Sequence, residues 1–75
     1  MARIENMMVA EMSRNSVHES VEATYAIFQT SDGETYLQVD TFGSPGRAIP
    51  GKKSQSIQFG SNGIAQLKQI LEEIG

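Results

Sequence analysis

The sequence predicts an α+β fold in which an antiparallel sheet precedes one C-terminal helix. Three segments alternate between apolar and polar side chains with the period of a strand, residues 17–30, 35–42 and 54–59. An Asp-Gly pair separates the first two segments, and an apolar stripe of helical period follows the third. Several strands and then a helix is the order typical of α+β domains.

Residues 1–16 form a segment that precedes the domain proper, which spans residues 17–75. Four apolar side chains within residues 2–13 fall near helical spacing: Ile4, Met7, Met8 and Met12. Methionine side chains are flexible and pack in several ways, so such a helix would lack precise packing. The segment is therefore either a short helix or a frayed tail.

The first alternating segment, residues 17–30, is long for one straight strand. We expect a bend or break between Ser20 and Ala23, which gives either two strands or one bent strand. The next segment, Thr35 to Phe42, is predicted to pair with it as a hairpin.

Asp32 and Gly33 are the residue types that a two-residue hairpin loop prefers, because both loop positions need positive φ. Such a loop predicts an apolar face made of Ala26, Phe28, Leu37 and Val39. The reverse face would then be aromatic and polar, with Tyr25, Ile27, Gln29, Tyr36, Gln38, Asp40 and Phe42. A loop longer by one residue would exchange the two assignments.

The C-terminal third is predicted to contain a loop, a strand and the helix. Ser-Pro-Gly and Pro-Gly mark residues 43–53 as a loop, and residues 54–59 form the strand. Ser61 or Asn62 is expected to cap the helix that follows. Its apolar stripe consists of Ile64, Leu67, Ile70, Leu71 and Ile74.

Composition excludes several classes of protein. The chain has 75 residues, no cysteine and one histidine, so a disulfide framework, a thiolate metal site and the usual zinc sites are excluded. No apolar run approaches the roughly 20 residues of a membrane span, and the first residues lack the apolar core of a signal peptide. We therefore expect a cytoplasmic protein without cofactors. So small a core is marginal, which favours self-association or a partner.

The segment Gly46-Arg47-Ala48-Ile49-Pro50-Gly51-Lys52-Lys53-Ser54 has part of the spacing of a phosphate-binding loop. In that motif the lysine is followed directly by Ser or Thr and then by a helix. Here Lys53 occupies the hydroxyl position and a strand pattern follows, so a nucleoside triphosphate site is excluded. His18 lies on a polar strand face, and Ser44 and Ser54 have no base nearby in sequence. We expect no catalytic residue.

The distribution of charge indicates a different partner. The net charge is -3, yet residues 41–71 contain four cations and no acid. Cations that neutralise phosphates and rings that stack on unpaired bases together favour single-stranded nucleic acid. The candidate cations are Arg47, Lys52 and Lys53, and the candidate rings are Tyr36, Phe42 and Tyr25. The alternatives are that these rings belong to the core or a dimer interface and that the cations only solvate a loop.

Three short motifs resemble the transcriptional coactivator family called positive cofactor four. They are Pro50-Gly51-Lys52-Lys53, Ser56-Ile57-Gln58-Phe59 and Gln66-Leu67-Lys68-Gln69-Ile70, and the segment Gly33 to Asp40 is similar to a further strand of that family. The resemblance covers roughly residues 20–75. The chain departs from the family at Thr41, where an arginine is usual, and at Ile64, where an aromatic residue is frequent.

The resemblance implies a curved antiparallel sheet of three to four strands followed by the helix. It also implies a homodimer that pairs through the helices, for which the candidate residues are Ile64, Leu67, Leu71 and Ile74. The family's basic turn corresponds to Lys52 and Lys53, and its DNA-contacting strand residues correspond to Tyr36, Gln38 and Phe42. We therefore expect a non-catalytic module that binds single-stranded DNA or RNA and is similar to a transcription coactivator. The alternative is a protein-interaction module, either an inhibitor or an accessory subunit.

Overall fold

The computed structural model describes residues 1–12, 15–43 and 53–75, and within them a mixed sheet of four strands precedes one helix. This confirms the α+β prediction. The strands lie in the order β1-β4-β3-β2, with β1 parallel to β4 and the other neighbours antiparallel. The elements are β1 (Ala2–Ile4), β2 (Ala23–Gln29), β3 (Thr35–Phe42), β4 (Lys53–Phe59) and α1 (Ser61–Ile74).

The β2–β3 hairpin has a three-residue loop, so the predicted two-residue loop is wrong. The Thr30 amide donates to the Glu34 carbonyl at 3.0 Å, which encloses Ser31, Asp32 and Gly33. Gly33 adopts φ 86°, the left-handed conformation that closes such loops. The Asp32 carboxylate accepts bonds from the Thr30 hydroxyl and the Glu34 amide, which lowers its pKa and stabilises the turn.

The longer loop shifts the hairpin register by one residue, so the side chains of β2 lie on the opposite face from the predicted one, while those of β3 keep their predicted faces. Phe28 lies opposite Tyr36, and Tyr25 lies opposite Val39. Directly opposite residues share a face of the sheet. The apolar face therefore carries Tyr25, Ile27, Leu37, Val39, Ile57 and Phe59. The polar face carries Ala26, Phe28, Tyr36, Gln38, Asp40, Ser56 and Gln58.

The long alternating segment yields one strand, and residues 15–22 lie outside it. β2 begins at Ala23, at the end of the interval where a break was expected. Pairing continues for one more residue, because the Phe42 amide donates to the Glu22 carbonyl at 3.0 Å.

The N-terminal segment contains a strand where a helix or a frayed tail was expected. β1 pairs with β4, with Ala2 opposite Ile57 and Ile4 opposite Phe59. The Ile4 carbonyl accepts the Gly60 amide at 3.0 Å, so β1 also contacts the start of α1. Backbone hydrogen bonds to β4 stabilise this strand. The helical spacing of the apolar residues gave no sign of that pairing.

α1 begins at Ser61 without the side-chain cap that was predicted. Gly60 occupies the N-cap position and supplies no side-chain bond. The Ser61 hydroxyl instead donates to the Glu34 carboxylate at 2.6 Å, which links the helix to the start of β3. Gly63, in the first turn, is buried where a β-carbon would overlap the Ile4 carbonyl oxygen.

Gly63→Ala is expected to destabilise the fold, although alanine usually favours a helix by about 1 kcal/mol over glycine. Its methyl group would overlap backbone that cannot move without breaking the β1–β4 pairing. Gly60→Ala is the control, because the atoms nearest to a β-carbon there belong to the flexible Glu5 carboxyl group. Urea unfolding should show a lower midpoint for Gly63→Ala than for Gly60→Ala. Equal midpoints would contradict close contact between α1 and β1.

The described residues leave much of their apolar surface exposed. Among residues 1–12, 15–43 and 53–75 no apolar side chain is buried. A compact monomer of this mass would expose about 4500 Å², whereas this chain of 8.2 kDa exposes 6524 Å². Its radius of gyration is 14.7 Å, against about 11 Å for a compact domain of this length. The described residues of a single copy therefore contain no fully buried apolar core.

Candidate nucleic-acid interface

A chain of side-chain hydrogen bonds crosses the polar face from β4 to β3. The Gln58 amide donates to the Gln38 side-chain oxygen at 2.9 Å, and the Gln38 amide donates to both Asp40 oxygens at 3.1 and 3.2 Å. The Ser56 hydroxyl donates to Asp40 at 2.5 Å. These bonds orient the two glutamine side chains, so that their positions on the face are fixed by their neighbours.

Asp40 is the anchor of this network and the one charged side chain that is buried among the described residues, with 8% of its surface exposed. The Ser56 hydroxyl, the Gln38 amide and the Lys53 ammonium hold the pKa of Asp40 below its usual value, against the opposing effect of burial. The Lys53 nitrogen lies 3.4 Å from an Asp40 oxygen, and the Lys53 side chain remains 59% exposed. The negative charge is therefore internally compensated, while the positive charge reaches solvent.

Asp40 is expected to make stability depend on acid pH. A carboxyl whose pKa is lower in the folded state stabilises the fold above its unfolded pKa of about 3.9 and loses this effect as pH falls through the folded value. The free energy of unfolding, measured in urea, should therefore fall more steeply between pH 5 and pH 2 in wild type than in Asp40→Asn. Glu73→Gln, on the exposed side of α1, is the control and should follow wild type. Identical pH dependence in wild type and Asp40→Asn would contradict this role.

Two rings stack on the polar face at the hairpin end of the sheet. The Phe28 and Tyr36 centroids lie 5.4 Å apart with an angle of 24° between the ring planes. Phe28 is 38% exposed and Tyr36 is half-buried. The pair presents an aromatic surface whose orientation is set by contact between the rings. Sequence reasoning missed Phe28, because the assumed loop length placed it on the opposite face.

A shallow pocket lies beside the glutamine network. It has a volume of about 230 Å³ and is lined by Met1, Ala2, Arg3, Gln38, Ser56 and Gln58. Arg3 lies opposite Gln58 in the β1–β4 pairing, and its guanidinium group contacts the Glu5 carboxylate at 3.3 Å. The pocket therefore offers amide donors and acceptors next to a cation. Arg3 and Gln58 were not predicted, because no sequence pattern indicated that β1 pairs with β4.

The structure keeps four of the predicted site residues together and places Tyr25 on the other face. Tyr36, Gln38 and Phe42 alternate along β3, and Phe42 pairs with Lys53 at a bulge, so these four share the polar side. Tyr25 lies on the apolar face and is 74% exposed. Its predicted place beside Tyr36 is wrong. Arg47 and Lys52 lie outside the described residues.

The predicted dimer residues of α1 fall into two groups. Ile64 and Leu67, near the start of the helix, are half-buried. Leu71 and Ile74, near its end, are 56% and 79% exposed. The second half of the helix therefore adds to the uncovered apolar surface, and dimerisation through these residues stays a prediction.

Comparison with protein-family models, curated proteins and solved structures finds no match for this chain. The resemblance to positive cofactor four therefore stays a prediction. No helix within the described ranges is both long and apolar enough to span a membrane. The same residues contain no cluster of three or more side chains suited to a metal ion.

Proposed function

We propose that the chain is a non-catalytic, homodimeric module that binds single-stranded DNA or RNA through the polar face of its sheet. Lys53, with Arg47 and Lys52 from the adjacent basic segment, contacts phosphates. The Phe28–Tyr36 pair stacks on bases, and Gln38 and Gln58 offer hydrogen bonds to base edges. The module acts in the cytoplasm. This agrees with the lack of cysteine, because such a chain forms no disulfide and needs no oxidising compartment.

The observation that carries the proposal is the presence of rings, amides and the Lys53 ammonium group along one face. From Tyr36 to Phe42 the face spans about 20 Å along β3, at about 3.4 Å per residue. At one end lies the stacked pair, and at the other Lys53 pairs with Phe42. Stacking platforms combined with a cationic track are the arrangement that binds single strands without strong sequence preference.

The buried acid on this face is compatible with a polyanionic ligand. The Asp40 side chain is 12% exposed, whereas the Lys53 side chain is 59% exposed. A phosphate that approaches the face meets the ammonium group first, and the carboxylate is already satisfied by Ser56 and Gln38. The positive field is therefore directed outward.

The uncovered surface supports the homodimer. The chain exposes about 2000 Å² more than a compact monomer of its mass. Obligate homodimers bury about 2000–5000 Å² of surface in total, and about half of that area lies on each partner. The excess exposed area of one copy therefore falls within the range that one partner of such a dimer buries.

Titration of labelled single-stranded and double-stranded oligonucleotides at several salt concentrations tests the proposal. We expect preference for single strands and an affinity that falls with salt, since each phosphate contact contributes about -0.7 to the logarithmic slope. Replacing both Lys52 and Lys53 by alanine should flatten the slope by about 1.4. Lys68→Ala is the control, because Lys68 is an exposed residue of α1, and this variant should keep the wild-type slope. Absence of binding, or affinity independent of salt, would reject the proposal.

The exposed apolar face favours a second candidate function, in which the chain binds another protein as an inhibitor or accessory subunit. Tyr25 and Ile27 are 74% and 68% exposed on that face. A chain that binds no oligonucleotide and sediments as a monomer at high concentration would favour this candidate over the first.

A further inference from the structure

The edge strand β2 lacks the features by which proteins usually protect a sheet edge. β2 is the outermost strand next to β3, and all seven of its residues, Ala23–Gln29, are exposed. It contains no charged residue and no proline, and its pairing with β3 shows no bulge. Natural edges usually carry charges, proline or bulges that prevent pairing with another chain. The residues of β2 are instead mostly aromatic, β-branched or small, as in paired strands.

The hairpin register determines which backbone groups of β2 point away from the sheet. Thr30 and Glu22 both form backbone hydrogen bonds with the β3 side, to Glu34 and Phe42. The backbone amide and carbonyl groups of successive residues point to opposite sides of a strand. The pairing of β2 with β3 contains no bulge, so this alternation is continuous between the two bonds. Even-numbered residues therefore bond to β3. The odd-numbered residues, Ala23, Tyr25, Ile27 and Gln29, direct their amide and carbonyl groups outward.

We propose that β2 pairs antiparallel with β2 of a second copy about a two-fold axis at Ala26. This rests on the homodimer of the proposed function and specifies where the two copies join. Tyr25 then lies opposite Ile27 of the partner subunit, and Ala23 lies opposite Gln29 of the partner subunit. Because all of these residues direct their backbone outward, the pairing forms about eight hydrogen bonds.

The strand is self-complementary in this register. On the apolar face Tyr25 packs against Ile27 of the partner subunit, an aromatic and β-branched pair of the kind that stabilises sheets. These are two of the most exposed large side chains of the sheet, at 74% and 68%. On the polar face Phe28 lies opposite Thr24 of the partner subunit. No like charges meet, since β2 carries none.

The symmetry of this pairing extends the proposed binding surface. A two-fold axis perpendicular to the sheet places both polar faces on one side and both apolar faces on the other. The Phe28–Tyr36 stacks of the two copies then lie near the centre of one continuous sheet, and each Lys53 side chain shares that side. A single strand of nucleic acid can therefore contact both copies without leaving the face.

Disulfide trapping tests the position of the axis, because the chain has no native cysteine. Ala26 lies opposite itself in a non-hydrogen-bonded pair, where the two Cα atoms are about 4.5 Å apart, within the span of a disulfide. Ala26→Cys should therefore form a covalent dimer in oxidised glutathione. Leu71→Cys tests pairing through the helices, and Glu73→Cys reports random collision. Far-UV circular dichroism checks that each variant is folded.

A covalent dimer of Ala26→Cys, at a rate well above that of the other two variants, supports the edge pairing. Faster trapping of Leu71→Cys, or equal rates for all three variants, would overturn it. Charge reversal gives a second readout: Ala26→Glu and Ala26→Lys should each sediment as monomers and should form a mixed dimer when combined. Two monomers that do not combine, or single variants that remain dimers, would contradict the register.

The outcomes separate this inference from the proposed function. A β2-linked dimer that binds no oligonucleotide would leave the edge pairing intact and reject nucleic-acid binding. Conversely, a chain that binds single strands with salt dependence but is trapped only at Leu71 would keep the function and reject the β2 edge.

Discussion

Phe28→Leu and Tyr36→Leu are each expected to weaken binding of a single-stranded oligonucleotide about 5- to 150-fold, which corresponds to about 1–3 kcal/mol per stacked base. Leucine keeps apolar bulk on the polar face but removes the flat ring. Each ring of the pair also orients the other, at a centroid distance of 5.4 Å. The double variant should therefore lose less than the product of the two single effects. Fluorescence anisotropy at fixed salt measures these affinities.

Tyr25→Leu distinguishes the two faces in the same experiment. Tyr25 is the most exposed ring of the sheet and lies on the apolar face. If nucleic acid binds the polar face, this variant keeps an affinity close to wild type at protein concentrations where both are dimers. A large loss for Tyr25→Leu with none for Phe28→Leu would place the ligand on the apolar face and contradict the proposed site.

The unfolding midpoint in urea is expected to depend on protein concentration. In the proposed homodimer, association contributes to stability, and a contribution of this kind changes by mass action. The described residues of one copy bury no apolar side chain, which is why we expect this contribution to be large. Each tenfold dilution should lower the free energy of unfolding of the dimer by about 1.4 kcal/mol. With a urea dependence of about 1–3 kcal/mol/M, the midpoint should fall by about 0.5–1.4 M.

Ile27→Asp is the variant that tests this expectation at one residue. The charge would be placed on the apolar face at a side chain that is 68% exposed in the single copy. It should cost a lone copy little but should disrupt a contact with a second one. Ser31→Asp, in the exposed hairpin loop, is the matched control. A midpoint independent of concentration in wild type would show that one copy is stable alone.

The sequence predicted the elements whose signals are local. β3 has the predicted bounds, β4 begins one residue earlier than predicted, and α1 begins at Ser61, which was predicted as a possible cap. Alternation and helical period depend on neighbouring residues, so a single sequence contains them. β1 was missed because its partner, β4, is more than 50 residues away in sequence. Nothing in Ala2-Arg3-Ile4 specifies that partner.

The candidate site was predicted in part. Tyr36, Gln38, Phe42 and Lys53 share the polar side, as expected. Tyr25 and Phe28 were exchanged because one extra loop residue reverses every side chain of a strand. The sequence contained a competing signal: Thr30 and Asp32 are spaced to hydrogen-bond within a three-residue loop, whereas the Asp-Gly pair alone favours two. The Asp32 bonds to Thr30 and Glu34 stabilise the three-residue loop and hence the observed register.

Side-chain amide resonances of Gln38 and Gln58 report directly on binding to the polar face, since these groups lie at its middle. In a nuclear magnetic resonance titration with a single-stranded oligonucleotide, we expect them to shift together with the backbone amide of Tyr36. The side-chain methyl resonances of Ile27 and Ile57, whose side chains lie on the apolar face, should remain within the shifts caused by salt alone. Large shifts at Ile27 and Ile57 with unchanged glutamine resonances would contradict binding through the polar face.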